Sequence, residues 1–213
     1  MDAAEPALRK LDPAELAGIA ERGVVREFPA RALVVTEGDR TDALYIILEG
    51  RMRAFLSDPS GREVVLATLG PGEFFGEVAF DEGPRSASVI TLEKCRVVVV
   101  ARNELEAFIV AHPTFAIHFI HKLLSRIRSL TQNVRSLALM DAFGRVARLL
   151  LESSVARDGR RIVPERPTQQ DIAARVGCSR EMVSRILKDL VTDGYITLER
   201  DHIVIHREPP SRG

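Results

Sequence analysis

The chain has 213 residues, and 30 lysines and arginines are balanced by 30 aspartates and glutamates, so its formal charge is zero. That length accommodates one or two domains with real cores, and the neutrality excludes a polybasic tail: from 142 onward basic side chains lead acidic ones only by 13 to 10. Two cysteines, Cys95 and Cys178, make no C-x-x-C pair, and the longest apolar run, near Val97 to Ala101, is far too short to span a bilayer; this argues against a disulfide framework, a metal or iron–sulfur centre and a membrane anchor, and leads to the expectation of a cytoplasmic protein.

Asp12-Pro13 followed by AELAGIAERG predicts a short N-terminal helix with a capping residue, proline in the first turn and Gly23 as its stop. From Val24 to Val100 the pattern changes to short apolar or alternating runs, VVREF, ALVV, ALYIIL, MRAFL, EVVLATL, ASVITL and RVVVV, separated by glycine and proline turns. Several strands at this spacing predict an antiparallel barrel or jelly roll, which can enclose one small ligand.

That run of strands is interrupted by GEFFGEVAFDEGPRSA, Gly72 to Ala87. Gly76 and Glu77 are placed at the start of one short helical turn, and Arg85 and Ser86 follow a Gly-Pro turn. Backbone N–H groups at a helix start favour an anion, an arginine fork can clamp phosphate oxygens, and a carboxylate can accept from a ribose hydroxyl. An ordinary surface loop with a Glu–Arg pair has the same residues.

The stretch resembles the phosphate-binding cassette of the cyclic-AMP receptor protein/FNR family of bacterial transcription regulators, and the resemblance runs from about Phe28 through Ile205. The matching residues are Gly76, Glu77, Arg85, Ser86 and Ala87. The resemblance implies that Glu77 takes the ribose 2′-hydroxyl while Arg85 and Ser86 take the cyclic phosphate. It also implies cyclic AMP as effector, with cyclic GMP or cyclic di-GMP as the alternative; the spacing of the cysteines and histidines, not the resemblance, argues against a metal, haem or iron–sulfur cluster.

Asn103 can cap a helix through about Ala111, and Pro113 can start another that shows no break until the neighbourhood of Gly144. Along it Ala116, Ile120, Leu123, Ile127, Leu130, Val134 and Leu137 alternate spacings of four and three, the heptad seam of a two-helix coiled coil. In that register Arg126 is a g position that faces Thr131, an e position, on a partner helix. In the resembled family two adjacent hydroxyl residues here touch adenine. Thr131 retains a hydroxyl, whereas Leu130 departs from the pattern; Arg126 matches an arginine near the ribose-binding glutamate. His112, His118 and His121 have no spacing or completing ligand that suggests a metal or haem.

Asp141 to about Arg157 is expected to form a further helix with Val146, Leu149, Leu150 and Val155 buried. Then comes TQQDIAARVGCSREMVSRILKDL. Thr168 can cap a helix that includes Gln169, Gly177-Cys178 makes a tight turn, and Ser179 can cap a second helix whose Met182, Val183, Ile186 and Leu187 face inward. Arg180, Glu181, Ser184, Arg185 and Lys188 are left outward, as in a helix-turn-helix. A structural helical hairpin could show the same pattern, but VGCSREMVSRIL is very close to the family's DNA-reading segment. YITLER and HIVIHR, joined near Asp201, read as a β wing, and the tail EPPSRG as disordered.

The expected fold is thus α+β, with a cyclic-nucleotide-binding β-roll (1–112), a dimerisation helix (113–139) and a winged helix-turn-helix (140–213). The resemblance implies a homodimer that binds double-stranded palindromic DNA with TGTGA-like half-sites through Thr168, Gln169, Ser179, Arg180, Glu181, Ser184, Arg185 and Lys188, with RNA polymerase as a further partner. No P-loop, Ser/His/Asp or metal-hydrolase motif is present, so no enzyme activity is expected.

Overall fold

The computed structural model describes residues 13–77, 83–157 and 159–209. Its backbone divides into two units, 1–56 with 66–130 and 57–65 with 131–213. The first contains helix α1 (Pro13–Ala20) and strands β1 (Val24–Phe28), β2 (Leu33–Val35), β3 (Ala43–Glu49), β6 (Phe74–Phe75), β7 (Ser88–Thr91) and β8 (Cys95–Ala101), with most of β4 (Met52–Ser57) and β5 (Glu63–Leu69). They form two four-stranded sheets, β1-β8-β3-β6 and β2-β7-β4-β5.

The unbroken valine run in β8 follows from burial on both faces. Val98 and Val100, with Leu44, Ile46 and Phe74, pack into a cluster that includes Ile19, Leu105, Phe108, Phe115 and Phe119. Val97, with Ile47 and Phe75, packs instead with Val35, Met52, Leu69 and Val89 of the opposite sheet. The register Tyr45↔Val99, Ile46↔Val98 and Tyr45↔Phe75, Ile46↔Phe74 carries this alternation across three strands. β6, two residues long, lies inside the cassette and has no strand signature of its own.

Helix α2 (Arg102–Ala111) follows β8 directly. Its N-cap is Ala101, with no side-chain cap, so the expected Asn103 cap is not used. The Arg102 N–H instead donates to the Asp42 carbonyl at 2.8 Å, which starts the helix from a loop contact. Helix α3 (Pro113–Leu139) buries Phe115, Phe119 and Lys122. Ile120, Ile127, Leu130, Val134 and Leu137 of the heptad seam are exposed.

In the second unit α4 (Ala142–Glu152) is capped by Asp141 and ends earlier than expected. Ser154 donates its hydroxyl to the Leu151 carbonyl at 2.7 Å and closes the helix. Val155 then lies not on a helix but half-exposed in β9 (Val155–Arg157), which pairs with β10 (Arg160–Val163). Helices α5 (Gln169–Val176) and α6 (Arg180–Thr192) and strands β11 (Ile196–Leu198) and β12 (Ile203–Ile205) complete the unit. Its sheet runs β11-β12-β10-β9, so the wing hairpin is continued by a second hairpin that sequence reading missed.

Asp12, the turn expected after Gly76 (78–82) and 210–213 lie outside the described residues. The tail expected to be disordered is partly placed: Glu208 pairs with Arg161 at 3.3 Å, and Pro209 is buried.

Candidate functional site

β6 is followed by Gly76, whose φ of +89° lies in the left-handed region. A Cβ there would stand 2.7 Å from both the Ala43 carbonyl oxygen and Arg85 Nη1. Glycine is therefore required by backbone angle and by space. Into the gap it leaves comes Arg85, only 4% exposed. Arg85 Nε donates to Thr41 Oγ1 at 2.6 Å, Nη1 to the Gly76 carbonyl at 2.8 Å and Nη2 to the Ala43 carbonyl at 2.7 Å. Its guanidinium also lies 5.8 Å from the centre of the Tyr45 ring.

Every acceptor in this set is neutral. No carboxylate among the described residues comes within ion-pair distance of Arg85. Burial pushes its guanidinium below the ordinary value, and Tyr45, Glu77 and Asp42 oppose that shift. Arginine carries five N–H donors; with three engaged by the described residues, one on each terminal nitrogen is left without an acceptor among them. A buried cation held by neutral oxygens is a site whose electrostatics call for an anion. Of the two residues that follow, Ser86 is exposed and Ala87 is partly buried.

Glu77 completes the arrangement from the other side of Gly76. Its Oε1 accepts from Arg126 Nη1 at 2.6 Å, while Oε2 is buried without a hydrogen-bond partner among the described residues. A buried carboxylate oxygen left this way is costly unless a donor reaches it, and a ribose hydroxyl is a donor of suitable kind. Arg126 also donates through Nη2 to the Phe74 carbonyl at 2.8 Å and lies 5.4 Å from the centre of the Phe74 ring. Phe74 in turn stacks on Phe119 at 4.6 Å.

One turn earlier on α3, Lys122, 3% exposed, donates to Glu73 Oε1 at 2.8 Å, and Glu73 Oε2 accepts from the Gly70 N–H at 2.9 Å. Sequence reading missed this second ion pair, although Lys122 and Arg126, four apart, mirror Glu73 and Glu77, also four apart. The structure thus brings together Gly76, Glu77, Arg85 and Arg126. Leu130 and Thr131 are exposed farther along α3. His112 Nδ1 lies 3.0 Å from the Phe108 carbonyl and His118 Nδ1 2.8 Å from Glu15, so both rings have neighbours other than a metal. Burial pushes both cysteine thiols up.

The second unit holds the other set of candidate residues. Thr168 caps α5: its Oγ1 accepts from the Asp171 N–H at 3.1 Å, and Asp171 Oδ2 accepts from the Thr168 N–H at 3.3 Å. Gly177 closes α5 in the left-handed conformation with φ +67°. Ser179 Oγ then accepts from the Met182 N–H at 3.2 Å and starts α6.

Val183, Ile186, Leu187 and Leu190 are the buried stripe of α6. Met182 was expected to join it, but it is 36% exposed, because the stripe at 183, 186, 187 and 190 leaves 182 at its edge. Arg180, Glu181, Ser184, Arg185 and Lys188 are all exposed. The Glu181 carboxyl is held below its usual range by its own backbone N–H and then by Ser179, and so remains an acceptor. Beside the start of α6, Arg166, Thr168, Gln169, Arg180, Leu198 and Ile203 line a cleft of about 660 Å³.

No single helix among the described residues is long and apolar enough to cross a membrane. Residues 25–112 match the model of the cyclic nucleotide-binding domain, and residues 144–209 that of the Crp-like helix-turn-helix domain. The chain is 34% identical over 200 residues to the CRP-like cAMP-activated global transcriptional regulator of Mycobacterium tuberculosis, a match covering 92% of this chain and 89% of that one. It is 32% identical over 190 residues to the cAMP-activated global transcriptional regulator CRP of Haemophilus influenzae, covering 85% and 84%. Among solved structures, the c-di-GMP responsive global regulator CLP of Xanthomonas campestris superposes with a TM-score of 0.83 at 25% identity, covering 92% of this chain and all of that one.

Proposed function

The chain belongs to the CRP/FNR family of DNA-binding transcription regulators, and from that premise we propose that it is a homodimer whose DNA binding is switched by a cyclic nucleotide, cyclic AMP in the first instance. The observation that carries this reading is the pairing, among the described residues, of a buried arginine that has no carboxylate partner with a buried carboxylate oxygen that has no donor. A cyclic phosphodiester keeps one negative charge and suits the two remaining N–H groups of Arg85. The adjoining ribose hydroxyl suits Glu77 Oε2.

Because Arg126 holds the other oxygen of Glu77, the ligand and α3 share one carboxylate. A ribose hydroxyl on Oε2 completes the set around Glu77 without breaking its bond to α3. At the far end of α3, Arg145 Nη1 donates to the Met140 carbonyl at 2.6 Å and Nε to the Val176 carbonyl at 2.7 Å, which ties the end of α3 to the end of α5. A ligand that favours one setting of α3 would bias the helix-turn-helix by its difference in affinity for the two settings.

The exposed apolar stripe on α3 is taken to be covered by the same stripe of a second copy, with Arg126 approaching Thr131 of the partner helix. The two α6 helices then read palindromic double-stranded DNA in successive major grooves, with half-sites resembling TGTGA and spaced by roughly 34 Å. Arginine suits guanine and glutamate suits the cytosine amino group. Family membership supports RNA polymerase as a further partner, a cytoplasmic location and the absence of enzyme activity.

Leu130, apolar where the family places a base contact, favours a second reading in which another cyclic nucleotide, cyclic GMP or cyclic di-GMP, is the effector. Titration of labelled operator DNA with the protein, alone and with cyclic AMP, cyclic GMP or cyclic di-GMP, separates these. Tighter binding with cyclic AMP is the expected result; a response to another nucleotide alone would reassign the effector, and equal affinity in all four arms would overturn cyclic-nucleotide control. In the same protein, Leu123→Glu with Leu130→Glu would bury like charges in the seam. Sedimentation should then show a monomer, and an intact dimer would remove the stripe from the interface.

A further inference from the structure

Among the described residues the Arg85 fork is held by three acceptors, and only one of them is a side chain. The carbonyls of Ala43, in β3, and Gly76, just after β6, are backbone atoms placed by the fold. The Thr41 hydroxyl, 2.6 Å from Nε, is a feature of this sequence. We infer that Thr41 is a positioning residue for the phosphate-binding fork, an inference that rests on the cyclic-nucleotide reading of the cassette.

Two carbonyl bonds, one to each terminal nitrogen, leave the tilt of the guanidinium about the line joining those nitrogens to the flexible side-chain torsions that carry Nε. A third bond at Nε, off that line, fixes its plane. It thereby fixes where the two remaining N–H groups point. Those are the groups the reading assigns to the phosphate, and an arginine clamp is effective only when its fork is aligned with the oxygens it meets.

The loop that carries Thr41 is ordered by bonds other than its own. The Gly38 N–H donates to the Arg85 carbonyl and the Arg85 N–H to the Asp39 carbonyl, each at 2.8 Å. The Glu37 N–H donates to Ser88 Oγ at 3.0 Å, and the Asp42 carbonyl accepts from the Arg102 N–H at 2.8 Å. Thr41 is itself exposed, so its methyl group supports no core. Replacing its hydroxyl by a methyl group therefore leaves the loop tied at both ends and removes chiefly the acceptor from Nε. The residue acts on the ligand through Arg85, not by packing.

Calorimetric titration of the full chain with cyclic AMP tests this with Thr41→Val, Thr41→Ser, Arg85→Leu and the Thr41→Val/Arg85→Leu double variant. Thr41→Val should weaken binding about three- to tenfold, as expected for a hydrogen bond to a charged group that is only partly compensated. Thr41→Ser, which keeps the hydroxyl, should stay within about twofold of wild type, and the double variant should bind no more weakly than Arg85→Leu alone, since residues acting through one another are not additive. In the protein without nucleotide, the Arg85 Nε–H followed by NMR should exchange faster with water in Thr41→Val. A Thr41→Val protein that binds as wild type while Arg85→Leu is weak would overturn the role of Thr41 and leave the cassette reading standing. Losses that simply add in the double variant would also overturn it, because Thr41 would then act independently of Arg85. A wild type that binds no cyclic nucleotide would overturn both.

Discussion

Arg85 and Arg180 are the same residue in opposite settings. Arg85 is 4% exposed and gives N–H groups to Thr41, Ala43 and Gly76, so the atoms proposed to meet ligand also join β3, the end of β6 and the loop before β3. Arg180 is exposed at the start of a helix whose cap comes from Ser179 and whose packing comes from Val183, Ile186, Leu187 and Leu190. In the roll, fold and proposed function share atoms; on α6 they are divided between opposite faces. Substitutions should therefore couple stability to binding in the first unit and separate them in the second.

The largest effect is expected at Gly76. Alanine there meets both an unfavourable φ of +89° and two atoms at 2.7 Å, one of them Arg85 Nη1. The strain is worth about 1–3 kcal/mol, at about 2–4 °C of melting temperature per kcal/mol in a chain of this size, and cyclic-nucleotide affinity should fall more than tenfold. Gly38 is the control. Its φ is +87° with nothing within 4 Å of a Cβ, so alanine there should lower the melting temperature with little loss of affinity. Equal losses of affinity at both glycines would show that backbone strain alone, not the clash with Arg85, governs the cassette.

Arg85→Leu comes next, with nucleotide affinity down at least tenfold, about 1.4 kcal/mol. A ligand at one hundred times its Kd stabilises its protein by about 2.7 kcal/mol. Thermal unfolding with saturating cyclic AMP should therefore show a rise in wild type that is cut sharply in Arg85→Leu and kept in full in Arg180→Ala. If Arg180→Ala also lost the rise, the two regions would not be separable as argued.

What is legible in the sequence divides along the same line. On α6 the buried stripe and the outward residues can be read from spacing, and only Met182, at the edge of the stripe, falls on the wrong side. In the roll the apolar runs mark the strands, and the order of Gly76, Glu77, Arg85 and Ser86 marks the cassette. The partners of Arg85 are silent, because two are backbone carbonyls and the third is a threonine 44 positions away. β9 reads as the end of a helix, and the hairpin with β10 goes unseen, because all three residues of β9 are exposed and no alternation marks them. Asn103 fails as a cap for a similar reason: the bond that starts α2 goes to the Asp42 carbonyl, which no side-chain pattern announces.

Arg180→Ala should cost about 1–3 kcal/mol on the specific site and relax the requirement at one base position, with folding unchanged. Binding-site selection with the variant reads this directly. Retention of the wild-type guanine requirement would remove Arg180 from base reading.

The smallest effect is expected at Lys188, exposed two turns along α6 from Arg180. An ammonium group at that distance from the base-reading end is suited to a phosphate, whose charge is the same in every sequence. Lys188→Ala should therefore weaken specific and non-specific DNA by the same few-fold factor. Because each phosphate neutralised on duplex DNA releases a condensed counterion, the plot of log affinity against log salt should become shallower by about 0.9 for each phosphate that the variant leaves without its cation. The melting temperature should not move, since no part of the buried stripe is touched. Measured across a salt series on operator and random DNA, parallel losses with a flatter slope would place Lys188 on the DNA backbone. A loss confined to operator DNA with the slope intact would instead make it a base reader, and would carry the specifying surface of α6 to two turns from Arg180.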